Sequence, residues 1–292
     1  MTPVPVAAAA SKVVDTLLAG YPLDGVRTAR GRVSYRQAGE GPIDLLLLHG
    51  IGSQSASWVQ QFEGLAPDFR LTAWDAPGYG ESDPIGTQSP AAHDYATTLD
   101  AFLTALGIGR PVIVASSLGA LIAASFAAMQ PGRVAGLVLL NPAGGYGRAD
   151  PKVREERLAT RLERLARLGP QGMAENLPGG MLSARAPRES RAIAMWSQAR
   201  IHPEGYAQAA RMLAHGALTQ DAAQYDGPVL VVAASADTIT PPRDCEAIAS
   251  AFPHAEYRLL DGPGHLSYVE SPEVVNALIA EFAATSAEGP RA

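Results

Sequence analysis

A buried strand that turns straight into a helix restricts the residues at its corner more tightly than almost any other junction. One stretch of this chain fits that demand. Val112-Ile113-Val114 is a short apolar, β-branched run that reads as a strand covered on both faces. Leu118, Leu121, Ile122, Phe126 and Met129 follow at helical spacing. Between the two lies Ala115-Ser116-Ser117-Leu118-Gly119. The residues two before and two after the apex of such a corner face neighbouring backbone, so both must be small. The apex itself is strained, with its side chain exposed above the sheet. Ser117 has Ala115 and Gly119 at those places, whereas Ser116 has Val114 and Leu118, both too large. Ser117 is therefore the candidate nucleophile. Taken alone, the stretch has a competing reading as an ordinary strand-turn-helix with a surface serine.

The rest of the chain repeats the strand-then-helix alternation. Arg32 to Arg36 reads as an early antiparallel strand closed by the Gly39–Pro42 turn. Leu45 to Leu48, Phe69 to Trp74, Val134 to Leu140, Pro228 to Ser235 and Glu256 to Leu260 read as further strands. Helices are expected over 57–64, from a Ser89 cap with Pro90 at the first helical position to a stop at Gly107, over 240–252, and from Ser271-Pro272 through Phe282. Strands alternating with helices imply a mostly parallel sheet wrapped on both faces, and in such sheets sites form beyond the carboxyl ends of the strands. Four features sit there: the Gly50-Ile51-Gly52 loop, Ser117, Asp237 and His265.

Those residue types make one chemistry. A serine hydroxyl is a weak nucleophile near neutral pH and needs a base to take its proton. Histidine titrates in the right range, and a buried carboxylate fixes its tautomer. A tetrahedral oxyanion needs two fixed N–H donors. The backbone N–H groups of Ile51 and Leu118 are the candidates, the latter at a helix start whose dipole favours negative charge. Asp75 competes with Asp237 as the acid, but its turn-rich surroundings, Asp75 to Asp83, favour a carboxylate that pins its loop. His49 precedes the glycine loop and reads as the residue that orients it.

Composition removes other classes. The formal net charge of -6 argues against a nucleic-acid partner, whose binders carry basic patches. No apolar run is long enough to cross a bilayer, and residues 1–10 lack the basic and apolar regions of a signal peptide. A lone Cys245 excludes an internal disulfide framework and fits a reducing, cytoplasmic compartment. The scattered histidines offer no metal-ligand spacing, so neither metal nor cofactor is expected. The expected partner is a small-molecule substrate.

With these residues assembled, the chain from about Val33 to Ala284 resembles the α/β-hydrolase family. The resemblance rests on His49-Gly50-Ile51-Gly52, on Ala115-Ser116-Ser117-Leu118-Gly119, and on Ser117, Asp237 and His265 in the order Ser, Asp, His. The Asp75–Gly80 loop and the Gly264-His265 pair are similar to that family as well. What the resemblance implies is a doubly wound, mostly parallel sheet of eight strands with a helical cap inserted after the sixth. It also implies serine rather than aspartate chemistry at the elbow, which disfavours the dehalogenase and epoxide branches. A carboxylic ester or lactone hydrolase ranks first. A carbon–carbon bond hydrolase of vinylogous diketones ranks second, because Ile51, Ser116 and Leu266 stand where that branch carries glycine, asparagine and tryptophan. A non-catalytic small-ligand receptor is the alternative from a different class.

The composition shifts where the resemblance implies a cap. Residues 146–225 show no strand pattern, only helical stretches over 153–168, 187–199 and 203–217, and Gly/Pro-rich joints bound them. The expected organisation is a core of residues 24–145 and 226–285, a cap of 146–225, an N-terminal extension of 1–23 with a mobile tip followed by a short helix, and a loose tail of 286–292. Trp196, Met212 and Tyr146 are the candidate substrate contacts; Met173, Met181 and Tyr206 could also line an acyl pocket, while helical spacing favours core packing for most of the methionines and aromatic residues of these helices. Arg154, Arg157, Arg161, Arg164 and Arg167 interleave with Glu155, Glu156 and Glu163, which reads as a solvated, salt-bridged face, with a substrate-binding arginine as the minority reading.

Overall fold

The computed structural model describes residues 6–287. Eight strands form one sheet: β1 (Asp24–Thr28), β2 (Gly31–Ala38), β3 (Ile43–Leu48), β4 (Phe69–Trp74), β5 (Val112–Ser116), β6 (Gly136–Leu140), β7 (Val229–Ala234) and β8 (Ala255–Leu260). The spatial order is β1-β2-β4-β3-β5-β6-β7-β8. The β1–β2 and β2–β4 pairs are antiparallel, and every later pair is parallel. The helices are α1 (Val6–Leu17), α2 (Val59–Leu65), α3 (Ala92–Ala105), α4 (Gly119–Met129), α5 (Pro151–Glu175), α6 (Arg188–Gln198), α7 (Pro203–His215), α8 (Leu218–Ala222), α9 (Pro242–Ala249), α10 (Ser267–Glu270) and α11 (Pro272–Ala287).

The leucine and valine runs become central strands because helices cover both faces of the sheet. Side chains alternate between two cores, as a period of two requires. Leu46, Leu48, Ile113, Ala115, Leu137 and Leu139 pack against α3, α4 and α9. Leu45, Leu47, Val112, Val114, Val138 and Leu140 pack against α2 and α11. The edge strands behave differently. β1 and β8 are mostly half-buried or exposed and carry charged residues, which discourages pairing with another chain.

α5 to α8 form a helical insertion between β6 and β7 with a small core of its own around Leu165, Met173, Ile201, Tyr206 and Ala210. α5 is two helical segments. Gly169 breaks it at φ 60°, ψ 176°, and Pro170 follows. The stretch expected over 153–168 thus ends at the break, and a second segment extends it to Glu175.

Several boundaries differ from the sequence expectation. α3 starts at Ala92, with the Asp94 carboxylate accepting from the Ala91 N–H, so Ser89 and Pro90 lie outside the helix. A local acid three residues downstream outcompeted the serine cap. β1, α8 and α10 were not anticipated, being too short to show a period. The N-terminal segment is a helix from Val6 whose Val14 is fully buried, and residues 1–5 of the expected mobile tip lie outside the described residues. α11 runs on to Ala287, past the expected start of the tail, and 288–292 lie outside the described residues.

The strand-to-helix corner after β5 is held by steric contact. A Cβ on Gly119 would sit 2.5 Å from the Leu48 carbonyl oxygen and 2.9 Å from that of His49. Both are backbone atoms of the adjacent strand end and cannot swing away. Gly119→Ala should therefore lower stability by about 1–3 kcal/mol, the usual cost of overpacking. A thermal melt of the variant checks this as a clear drop in Tm.

Candidate active site

Three strand ends bring the site together. Ser117 follows β5, Asp237 lies in the turn after β7, and His265 lies in the loop after β8. Ser117 adopts φ 51°, a left-handed conformation uncommon outside glycine, and its N–H donates to Leu140 of the neighbouring strand end at 3.0 Å. The His265 Nε2 lies 2.8 Å from Ser117 Oγ, and its Nδ1 lies 2.8 Å from Asp237 Oδ2. All three residues are buried, yet Ser117 and His265 reach the wall of a cavity of about 600 Å³ between the sheet and the helical insertion.

Asp237 is densely solvated by protein. Oδ1 accepts from the backbone N–H of Ile239 at 2.7 Å and of Thr240 at 3.0 Å. Oδ2 faces the Asn141 amide at 2.9 Å, the Thr240 hydroxyl at 2.7 Å and the His265 ring. Burial raises its pKa, but the hydrogen bond and charge of His265 and the donors of Thr240 outweigh burial, so the carboxyl stays below its ordinary range. An ionised Asp237 accepts the Nδ1–H of His265, which leaves Nε2 bare to take a proton from Ser117.

Asn141 and Thr240 were missing from the sequence reading. Asn141 has φ 48°, is fully buried, and receives the Ser267 hydroxyl on Oδ1 at 2.5 Å while its amide serves Asp237. It stands just past β6, so the strand-end rule that selected the other residues could have found it. Thr240, three residues after Asp237, fits the local habit of an aspartate to cap the N–H groups that follow it.

The other two candidates for acid and base are committed elsewhere. Asp75 accepts from the Ser55 N–H at 2.7 Å and the Ser34 hydroxyl at 2.7 Å, pinning two loops. His49 Nε2 accepts from the Ala76 N–H at 3.0 Å, so its proton is on Nδ1, which donates to the Gly50 carbonyl at 2.8 Å. Burial lowers its pKa against the pull of the Gly50 hydrogen bond and the Asp75 charge, which keeps the ring neutral.

The oxyanion candidates flank the serine. Among the described residues, the N–H groups of Ile51 and Leu118 make no hydrogen bond. Gly50 lies so close that a Cβ there would be 3.0 Å from Ser117 Cβ. Among the described residues no group of three or more His, Cys, Asp or Glu could hold a metal ion, and no helix is long and apolar enough to cross a membrane.

Of the insertion's candidates, only Tyr146 lines the cavity. Trp196 is instead buried in the core on the α2 and α11 side of the sheet, donates from Nε1 to Asp15 of α1 at 2.9 Å, and carries Arg200 over its ring. Met212 is fully buried in the opposite core. Both were candidate substrate contacts, and their helical spacing reflected packing. Met173, Met181 and Tyr206 do reach the cavity. So do Arg157, Arg161 and Arg164, which corrects the expectation of an ion-paired face, although Arg157 and Arg167 are exposed. The ion pair on α5 among the described residues is Arg154 with its neighbour Glu155, at 3.8 Å.

The same architecture recurs in known proteins. A family profile described as the alpha/beta hydrolase fold matches residues 45–272, and the chain belongs to that family. It is an α/β-fold hydrolase, as its relatives and structural neighbours are. It is 27% identical over 256 residues to the pimeloyl-[acyl-carrier protein] methyl ester esterase of Yersinia enterocolitica, covering 85% of this chain and 96% of that protein. It is 36% identical over 126 residues to a 2-hydroxy-6-oxononadienedioate/2-hydroxy-6-oxononatrienedioate hydrolase of Pseudomonas putida, covering 42% and 43%. A thermophilic esterase from Thermogutta terrifontis, solved with malate bound, superposes with a TM-score of 0.80 at 28% identity, covering 91% of this chain and 99% of that one.

Two substitutions separate support from scaffold. Asn141→Gly preserves the positive φ but removes the amide donor to Asp237. A hydrogen bond to a charged group contributes about 1.5–3 kcal/mol, so kcat on an activated ester should fall on the order of 10- to 100-fold with KM little moved. Asp75→Asn should instead lower Tm while the folded fraction keeps most of its turnover, read by a melt and an active-site titration.

Proposed function

We propose that the protein hydrolyses a carboxylic ester or lactone of a small organic molecule through an acyl-enzyme on Ser117. The observation that carries this reading is the continuous hydrogen-bonded path from Ser117 Oγ through both ring nitrogens of His265 to Asp237. In the first half-reaction Ser117 Oγ attacks the carbonyl carbon as His265 Nε2 takes the hydroxyl proton. The oxyanion is received by the N–H groups of Ile51 and Leu118, and losing one such donor costs about 3 kcal/mol of transition-state stabilisation. His265 then returns the proton to the departing alkoxide. In the second half a water gives its proton to His265 and attacks the acyl carbon, and Ser117 leaves protonated. Asp237 remains ionised throughout, holding the tautomer and stabilising the imidazolium.

The cavity is of a size for a small ligand rather than a polymer. The insertion supplies part of its wall through Tyr146, Met173 and Tyr206, so the helices after β6 are placed to select substrate without supplying the reacting groups. The cytoplasm is the compartment we assign, on the strength of a single, buried, unpaired Cys245.

Ser117→Ala should abolish turnover of 4-nitrophenyl butyrate and block labelling by a fluorophosphonate. Ser116→Ala should keep both, because Ser116 is a fully buried strand residue. Peptide mapping of the labelled protein decides the matter, and a label on Ser116 contradicts the assignment. A burst of 4-nitrophenol equal to the enzyme concentration separates an enzyme from a receptor. Adding a vinylogous diketone to the ester panel tests carbon–carbon cleavage.

A further inference from the structure

The α5 arginines are arranged against the ordinary economy of a surface helix. Arg157, Arg161 and Arg164 stand at i, i+4 and i+7, on one face, and that face lines the cavity that holds Ser117 and His265. Neighbouring like charges at this spacing oppose helix formation. Relief would come from acids three or four residues away, and none of the three has one: those places hold Val153, Arg154, Leu158, Thr160, Leu165, Arg167 and Leu168 besides each other. The glutamates of the same helix sit at other offsets. Glu163, for example, stands four residues before Arg167, which does not line the cavity.

The three are not equivalent. The Arg157 guanidinium lies over the Tyr146 ring, 5.6 Å from its centroid. Arg164 donates to the Asn176 carbonyl, which fixes its direction. Arg161 is half-buried and makes no hydrogen bond or ion pair among the described residues. A fourth guanidinium, Arg148, reaches the same cavity from the loop after β6. Against these four the lining holds one carboxylate, Asp244, which is exposed and 3.2 Å from its neighbour Arg243. The protein as a whole carries a net charge of -6, so this local excess of positive charge runs against its own balance. Guanidinium forks match the planar or tetrahedral oxyanions of carboxylates and phosphates.

Building on the serine-hydrolase reading, we propose that the natural substrate carries an anionic group, a carboxylate or a phosphate, remote from the scissile carbonyl, and that Arg161 and Arg164 bind it with Arg157 and Arg148 nearby. The distinctive property of the site is then a charge preference rather than an acyl-length preference. The four guanidiniums would also draw an anionic ester into the cavity.

The test compares matched ester pairs. One pair carries charge on the acyl side: 4-nitrophenyl adipate half-ester against its methyl-capped form. The other carries it on the alcohol side: the butyrate ester of 4-hydroxybenzoate against that of methyl 4-hydroxybenzoate. A phosphate replaces the carboxylate in a third arm, and the tail with the larger ratio identifies the oxyanion. At least one anionic member should show a kcat/KM about tenfold or more above its neutral partner. Arg161→Gln and Arg164→Gln should each cut that ratio on the order of 10-fold, the effect of a lost charge-assisted hydrogen bond. Arg161→Glu should invert it. Arg167→Gln, which removes a charge from the same helix outside the cavity, should leave it in place. Ratios near one in every pair, or an Arg167→Gln effect equal to that of Arg161→Gln, overturn the proposal while Ser117 labelling still stands. Absence of both labelling and turnover overturns the serine-hydrolase reading, and this inference with it.

Discussion

The structure turns on one imidazole held between two oxygens. His265 touches Ser117 Oγ and Asp237 Oδ2 at 2.8 Å each, and neither distance survives unless three separate strand ends stay in register. A carboxylate buried without partners would protonate or drag water in. Asp237 avoids this because Ile239, Thr240, Asn141 and His265 converge on it from three segments of chain. The parallel pairing of β5, β6, β7 and β8 is what brings those segments together.

Among the described residues, two that are not glycine adopt positive φ, Ser117 and Asn141, and both stand immediately beyond adjacent central strands. Each costs on the order of 1–3 kcal/mol of backbone strain, which a surface turn would shed and a fully buried sheet can hold. They are also tied together: the Ser117 N–H donates to Leu140 and the Ala143 N–H to the Ser117 carbonyl. Strain therefore sits where it aims side chains, with Ser117 toward the cavity and Asn141 toward Asp237. The close approach at Gly119 belongs to the same device, because helix α4 starts against the backbone of β3.

Much of this could be read from residues alone. The corner at Ser117 was legible because sterics leave only small residues two positions away, a rule independent of the remaining fold. The central strands were legible because they are apolar on both faces, Asp237 because it follows one of them, and His265 because it follows the last strand in the alternation, the half-exposed edge strand β8. Asn141 was passed over because a loop asparagine has many structural uses, and its role depends on a partner 96 residues away. Trp196 and Met212 show why the choice among the insertion's candidates needs the structure: an apolar residue at helical spacing shows that a face is buried, not which side of the helix meets a cavity. For the arginines of α5 the structure favours the minority reading. Their nearness to glutamates in sequence suggested ion pairing, whereas the offsets of three and four residues that pairing needs were absent from Arg157, Arg161 and Arg164.

The central claim is that Asp237 acts on Ser117 only through His265. Asp237→Asn in the otherwise unchanged protein should slow acylation by an activated ester by about 10⁴-fold, because the amide favours the wrong imidazole tautomer. The same substitution in a His265→Ala background has no imidazole left to orient. Stopped-flow acylation of the single and double variants, each checked for folding, measures the coupling. The account predicts that Asp237→Asn changes the rate by less than about threefold once His265 is gone, the non-additivity expected of groups that act as a unit. A loss that persists undiminished in the His265→Ala background would contradict it.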